Sequence, residues 1–160
     1  MSRRTAAAIV TGVLLASLVG SGTALAAPVK KACKLIDRSE LSAQFAGAPV
    51  EKGPRPPGPP TATTCMLEVG AGAPGGGSVA LLLQRGAEAK AGYRVAKRQF
   101  AGNATEVTGL GRKAFEAGDV VWVLKRRTLF YVQGLFYGDG KPADLKDRLV
   151  ALAALAYDRV

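Results

Sequence analysis

Apolar and polar residues recur with two different periods along this chain. Residues 87–100 and 141–159 follow the helical period, in which apolar side chains return every three or four positions. The predicted apolar faces consist of Ala89, Tyr93, Ala96 and Phe100 in the first segment and of Leu145, Leu149, Leu152 and Ala156 in the second. Pro142 suits the first position of the later helix, where a backbone N–H is unpaired in any case. The period therefore predicts two amphipathic helices that each bury one face.

A shorter helix is indicated by its start and stop signals. Asp37 and Glu40 have capping-box spacing, in which each side chain accepts a hydrogen bond from the backbone N–H of the other residue. Leu41 and Phe45 follow on one face, and Gly47 is typical of the position just beyond a helix end. We expect a short helix between Asp37 and Gly47.

Five segments have the composition of strands, with β-branched and aromatic residues between turn signals. They are residues 63–69, 79–84, 113–116, 120–124 and 129–136. Neighbouring segments are joined by tight turns, which implies antiparallel pairing. The order helix, two strands, helix, three strands, helix predicts an α+β fold. We expect a two-layer sandwich in which a curved, mainly antiparallel sheet carries the second and third helices on one face.

Two segments lack either period and are predicted to be loops. Residues 53–60 contain five prolines and two glycines, which favours an irregular or polyproline II conformation. Residues 70–75 match the G-x-G-x-x-G pattern of dinucleotide-binding folds, but that pattern requires a helix directly afterwards. A strand follows here instead, so we interpret the glycine-rich segment as a hairpin loop.

Residues 1–26 have the pattern of a secretory signal peptide. Two arginines precede a mostly apolar stretch over residues 6–20, and Ala24-Leu25-Ala26 is an A-x-A cleavage signal. A retained membrane anchor is the alternative, although the stretch is shorter than the ~20 apolar residues of a span. We expect cleavage, a short tail over residues 27–32, one domain over residues 33–160 and no transmembrane span after cleavage. The protein would then be secreted, and either extracellular or associated with the cell wall.

The two cysteines of the chain, Cys33 and Cys65, most simply form a disulfide in an oxidising compartment. Such a bond would close a ring around the proline-rich loop. A redox-active pair is the alternative, but redox-active pairs usually have Cys-x-x-Cys spacing. We therefore expect one structural disulfide.

The composition narrows the chemistry further. The chain has no histidine, which excludes Ser–His–Asp triads and zinc sites with a histidine ligand. The serines beyond the leader lie in neither Gly-x-Ser-x-Gly nor Ser-x-x-Lys motifs. We predict no catalytic residue, no metal site and no cofactor. A small hydrolase that uses two carboxylates stays open as an alternative, and its candidate residues are Asp119, Asp139, Asp144 and Asp147.

Positive charge is concentrated in one part of the chain. The whole chain has 22 basic and 12 acidic residues, and ten of the basic but only four of the acidic ones lie in residues 85–127. The candidate residues for binding an anionic partner are Lys90, Arg94, Lys97, Arg98, Arg112, Lys113, Lys125, Arg126 and Arg127. In an exported protein the partner would be an anionic envelope polymer, a lipid headgroup or an acidic protein rather than nucleic acid. The alternative interpretation is a solvated helix face together with a charged turn that protects a sheet edge.

Aromatic residues crowd the segment of the last two predicted strands. They are Trp122, Phe130, Tyr131, Phe136 and Tyr137. Packing in the core beneath the helices is the favoured interpretation, and a ligand-binding platform is the alternative.

Several short motifs together resemble a known group of proteins. Cys33-Lys34-Leu35-Ile36 precedes the capped helix, Cys65-Met66-Leu67 opens a strand, and a Val-x-Gly-Leu-Gly turn covers residues 107–111. With the alanine- and leucine-rich C-terminal helix, these motifs resemble an actinobacterial cell-envelope domain of unknown function found in small exported proteins and lipoproteins. The chain is more distantly similar to extracellular sensor domains of some mycobacterial Ser/Thr kinases. The resemblance implies export, a disulfide and an α+β fold, and it implies no catalytic residues.

These observations favour a non-catalytic, secreted binding or accessory protein of the cell envelope that contacts its partner through a basic face. The carboxylate-dependent hydrolase is one alternative. A domain that docks on a partner protein through an apolar patch is the other.

Overall fold

Seven β-strands in the described part of the chain form one open sheet. The computed structural model describes residues 30–73 and 75–160, so the predicted signal peptide and residues 27–29 of the predicted tail lie outside the described residues. The strands are β1 (Val50–Lys52), β2 (Ala62–Val69), β3 (Gly77–Arg85), β4 (Thr105–Glu106), β5 (Ala114–Ala117), β6 (Val120–Lys125) and β7 (Thr128–Leu135). The helices are α1 (Arg38–Gln44), α2 (Ala87–Gln99) and α3 (Leu145–Asp158). The order across the sheet is β1-β2-β3-β7-β6-β5-β4, and all neighbours are antiparallel, which confirms the α+β class.

The sequence pattern does not reveal the two edge strands, β1 and β4. Two of the three residues of β1 are charged, and β4 has only two residues. Segments this short have too few positions to display an alternation of apolar and polar side chains. They join the sheet through backbone pairing, which places Val50 opposite Val69 and Thr105 opposite Glu116.

The register of the central strands assigns side chains to the two faces of the sheet. In the β3–β7 pair, Leu83 lies opposite Phe130 and Gln84 lies opposite Leu129. Successive side chains of a strand point to opposite faces, so the first pair lies on one face and the second pair on the other. Phe130 shares a core with α3, and Leu129 shares a core with α2. We therefore call the two sides the α3 face and the α2 face.

The helices cover both faces of the sheet, which differs from the predicted arrangement with the second and third helices on one face. Helices α1 and α3 pack around Leu81 on the α3 face. Helix α2 packs through Tyr93 on Leu129, on the opposite side. The physical reason lies in β3, where Ala80 and Leu82 are buried as well as Leu81. A strand that is apolar on both faces needs cover on both faces.

The start of α1 agrees with the prediction from the sequence, and the start of α3 differs from it. The N–H of Asp37 donates to Oε2 of Glu40 over 2.8 Å, as expected for the capping box, and Gly47 has a φ of +79°. Helix α3 begins at Leu145 instead of near Pro142. The N–H of Leu145 donates to the carbonyl oxygen of Pro142 over 3.1 Å, so Pro142 belongs to a turn that precedes the helix.

The apolar faces predicted for the two long helices are confirmed. Leu145, Leu149, Leu152 and Ala156 of α3 are buried, and so are Ala89, Tyr93 and Ala96 of α2. Phe100, the residue that caps the end of α2, is half-buried and lies 6.4 Å from Trp122 between ring centroids.

The predicted disulfide between Cys33 and Cys65 is confirmed, with 5.1 Å between the two Cα atoms. Cys33 lies in a 3₁₀ turn, Ala32–Lys34, and the N–H of Ala32 donates to Oγ1 of Thr63 over 2.9 Å. The bond therefore fastens the start of the described chain to β2. The proline-rich loop lies inside the ring that the bond closes, and residues 53–59 have no regular secondary structure.

Candidate anion-binding groove

Helix α2 presents a row of basic side chains beside its buried face. Ala89, Tyr93 and Ala96 face the sheet, and the ring of Tyr93 packs edge-on against Phe115 at 5.5 Å between centroids. Basic residues at positions 90, 94 and 97 recur with the helical period one position after these contacts, so they lie together along one side of the helix. All three of these side chains are exposed. The amphipathic pattern of α2 therefore fixes both its packing and its line of charge.

A tight turn brings two more basic residues to the opposite side. Gly109 and Gly111 have φ values of +84° and +75°, conformations that glycine adopts without steric cost. The turn buries Leu110 in the core on the α3 face. Arg112 and Lys113 follow directly and are exposed, and the carbonyl oxygen of Lys113 accepts a hydrogen bond of 2.8 Å from the N–H of the β6 residue opposite, Leu124.

These elements enclose a groove with a volume of about 450 Å³ between α2 and the start of β5. Its lining consists of Lys90, Tyr93, Arg94, Lys97, Arg112, Lys113 and Leu124. Tyr93 and Leu124 are the buried members of this set and form the floor, and the five basic residues form the walls. We call this feature the basic groove.

Most of the charge in the basic groove has no partner within the described chain. Nζ of Lys97 lies 3.2 Å from Oε1 of Glu106, and both side chains are well exposed to solvent. No carboxylate in residues 30–73 and 75–160 lies within 4.0 Å of the charged groups of the other four basic residues. Five cations thus line the groove, and one of them is paired.

The floor of the groove also provides the phenol of Tyr93, which is protonated at neutral pH and can form hydrogen bonds. Burial raises the pKa of the Tyr93 phenol above its usual value, while Lys97 lowers it and Glu106 raises it to smaller extents. The phenol is therefore protonated at neutral pH and retains an O–H. Tyr93 follows the apolar period of α2, so the sequence alone indicated a core residue and not a groove residue.

The remaining four predicted basic residues lie outside the lining of the groove. Lys125 belongs to the α3 face, where its Nζ donates to the carbonyl oxygen of Tyr157 over 2.8 Å and lies 4.2 Å from the centroid of the Tyr157 ring. Arg98 is exposed on α2 beside Lys97. Arg126 and Arg127 are exposed at the tip of the β6–β7 hairpin, between the last residue of β6, Lys125, and the first residue of β7, Thr128.

The aromatic residues of the last strands do not form one surface. Phe130 and Phe136 are buried on the α3 face, as predicted for core residues. Trp122 lies on the α2 face, where its ring contacts Tyr131 edge-on at 4.8 Å between centroids. Tyr137 is 79% exposed. The split between two faces and the surface gives the ligand-platform alternative no support.

The carboxylates proposed for hydrolysis are engaged with cations or exposed. Oδ2 of Asp119 lies 2.7 Å from Nζ of Lys141, and Oδ1 of Asp144 accepts a hydrogen bond of 2.7 Å from Nε of Arg148. That hydrogen bond lowers the pKa of Asp144. A general acid needs a raised pKa, so the shift at Asp144 has the opposite sign. Asp139 and Asp147 are exposed, and the described residues contain no group of three potential metal ligands.

No family model, curated protein or solved structure matches this chain. The resemblance to exported actinobacterial envelope domains therefore stays a prediction. Within residues 30–73 and 75–160, none of the helices combines the length and apolar character needed to cross a bilayer.

Proposed function

We propose that this protein is a non-catalytic, secreted binding or accessory protein of the cell envelope, and that it contacts an anionic polymer through the basic groove. The observation that carries this proposal is the convergence of five basic side chains from two separate elements on one groove, with one carboxylate in contact. Two of the five, Arg94 and Arg112, carry planar guanidinium groups, which suit the two-point recognition of phosphate or carboxylate oxygens.

A partner with several linked charges suits the groove better than a single small anion. Each exposed ion pair contributes only about 0–1 kcal/mol, because water and salt screen it. A polyanion that contacts several of the cations at once gains the sum of these small contributions. The folded protein already holds the cations in place, on α2 and on the turn before β5. Such binding weakens as salt rises, since the Debye length falls from about 10 Å at 0.1 M salt to about 3 Å at 1 M.

The location outside the cell rests on three observations of different kinds. The Cys33–Cys65 disulfide is typical of oxidising compartments. Residues 1–26 have the pattern of a cleavable leader, and the motif resemblance is to exported envelope proteins. An exported, basic protein meets wall polymers, anionic headgroups and acidic proteins, and of these a wall polymer offers the longest run of linked charges.

Sedimentation with isolated envelope fractions tests the proposal. We expect the disulfide-bonded protein to sediment with cell-wall fractions at low salt and to be released at about 0.5–1 M salt, where exposed charges are screened. Replacement of Lys90, Arg94 and Lys113 by alanine should abolish the binding. A matched control replaces Lys34, Arg38 and Lys52, which are exposed, remove the same charge and lie outside the groove.

The proposal fails if binding is absent, if it does not respond to salt, or if the control triple variant loses as much binding as the groove variant. In the last case net charge and not the groove would explain the attraction. Parallel assays with anionic lipid vesicles and with an acidic protein identify the source of the charge. Binding to either of them in place of the wall fraction would overturn the choice of a polymer.

A further inference from the structure

The proline-rich loop between β1 and β2 has features of a segment that a partner protein could bind, beyond what is needed to join the two strands. It contains Pro54, Pro56, Pro57, Pro59 and Pro60. Each proline fixes its own φ near −65° and pushes the residue before it toward extended geometry. No peptide bond in the described residues is cis, and neither Gly53 nor Gly58 has a positive φ. The local constraints therefore favour a polyproline II run from residue 53 to residue 59.

Three hydrogen bonds hold the backbone of this run against the sheet. The N–H of Gly53 donates to the carbonyl oxygen of Met66 over 3.0 Å, and Oγ1 of Thr64 donates to the carbonyl oxygen of Pro56 over 2.6 Å. At its end the N–H of Ala62 donates to the carbonyl oxygen of Pro59 over 2.9 Å. The run is thus fastened at its start, middle and end, within the ring closed by the disulfide.

The three-residue period of polyproline II sorts the loop into an inner and an outer side. Gly53 and Pro56 are half-buried, three residues apart. Nε of Arg55 lies 3.4 Å from Oγ1 of Thr64, and a Cβ added to Gly58 would come within 2.5 Å of Cγ2 of the same threonine. Two of the three rows of the run therefore contact the protein.

The third row of the run consists of Pro54 and Pro57, and both residues are exposed. At a rise of about 3.1 Å per residue, these two prolines stand about 9 Å apart. We call this row the proline ridge. Beside its start, the basic residues Lys31, Lys52 and Arg55 line a depression next to the disulfide.

We propose that the proline ridge is a docking site for a protein partner that has an aromatic-lined groove with carboxylates at its rim. Grooves of this kind recognise proline at every third position because the polyproline II helix is already formed before binding. The aromatic rings would pack against Pro54 and Pro57, and the carboxylates would pair with Lys52 and Arg55. The fastened loop loses little conformational entropy on docking, which distinguishes it from a disordered proline-rich tail.

A panel of purified WW and SH3 domains, whose grooves are aromatic, serves as the probe. We expect at least one domain with an acidic rim to bind the disulfide-bonded protein in a fluorescence titration. Replacement of both Pro54 and Pro57 by alanine should weaken that binding about tenfold or more, which corresponds to about 1.4 kcal/mol or more. Pro59→Ala is the matched control, because Pro59 is an exposed proline of the same loop that lies outside the ridge.

Two further variants keep the test independent of folding and of the basic groove. Thermal unfolding checks that the Pro54→Ala, Pro57→Ala double variant remains folded, and the Lys90, Arg94 and Lys113 triple variant should bind the panel as the unmodified protein does. The proposal is overturned if no domain of the panel binds. It is also overturned if Pro59→Ala weakens binding as much as the ridge variant, or if alanine at a groove-lining aromatic residue of the bound domain has no effect. None of these outcomes bears on the binding of polyanions.

Discussion

Removal of the Cys33–Cys65 bond should destabilise the protein through its unfolded state. The bond joins residues separated by 32 positions, and in the chain-entropy model a ring of this size stabilises the folded state by about 3–4 kcal/mol. The prolines of the loop already stiffen the unfolded chain inside this ring. We therefore expect the lower part of that range for a Cys33→Ala, Cys65→Ala double variant.

The contacts around the bond should survive its removal. Thr63 still accepts the hydrogen bond from the N–H of Ala32, and β2 still pairs with β1 and β3. The change in free energy therefore belongs mainly to the unfolded chain, which becomes free to expand. In urea, with m of about 1–3 kcal/mol/M, a loss of about 3 kcal/mol lowers the unfolding midpoint by about 1–3 M.

The assay is equilibrium urea unfolding followed by circular dichroism, with the unmodified protein under oxidising and reducing conditions as reference. The reduced protein and the double variant should unfold at similar midpoints, both with a larger m than the oxidised protein. A midpoint shift equivalent to less than 1 kcal/mol would refute the entropic reasoning. Loss of all secondary structure in the variant at zero urea would refute the inference that the sheet persists without the bond.

Three further predictions concern the basic groove. Gly111→Ala combines a positive φ with a Cβ only 2.8 Å from the Tyr157 hydroxyl, so it should lower the free energy of unfolding and weaken polyanion binding. The control is Gly109→Ala, which has a positive φ but open space around it and should lower the free energy of unfolding by only about 1 kcal/mol. Glu106→Gln removes the one carboxylate that contacts the groove and should strengthen polyanion binding at low salt, and an unchanged affinity would contradict the assigned pairing with Lys97. Burial raises the pKa of Tyr93 and also that of Tyr131. The contribution of each phenol to stability should therefore be constant below about pH 10 and be lost as pH rises through its folded pKa. In ultraviolet titration, Tyr93→Phe should show one late-ionising phenol fewer than the unmodified protein.

The periodic pattern of the sequence predicts the elements well where they are long. Helix α2 shows its period over 13 residues, and its buried residues are the ones that the period indicates. The capping box of α1 is local chemistry between Asp37 and Glu40, so it can be predicted without knowledge of the fold. Strand β4 has two residues and pairs with β5 through its backbone, which leaves no pattern in the side chains.

The layer arrangement depends on contacts between distant parts of the chain. The period of α2 shows that one side is buried but not which face of the sheet buries it. The sequence did contain a signal, since residues 79–83 of β3 are apolar without alternation, and such a run indicates burial on both faces.

Only part of the candidate site could be predicted from the sequence, because the rest also depends on contacts between distant parts of the chain. Lys90, Arg94 and Lys97 share one side of a helix, and this can be predicted from spacing alone. The approach of Arg112 and Lys113 depends on the burial of Leu110, which is a tertiary contact. Lys125 could have been separated from them by alternation, because it follows Leu124 in a strand and must point to the other face.

The placement of α2 on its own face of the sheet has a dynamic consequence. Its core comprises Ala89, Tyr93, Ala96, Phe115, Ala117, Leu124 and Leu129, whereas α3 shares a much larger core that the disulfide also joins. Local opening has a lower free energy where fewer apolar contacts are lost. The amides of α2 should therefore exchange with deuterium sooner than those of α3, and a bound polyanion should slow exchange in α2 far more than in α3. The exchange rate of the α2 amides would then show whether a polyanion is bound in the groove.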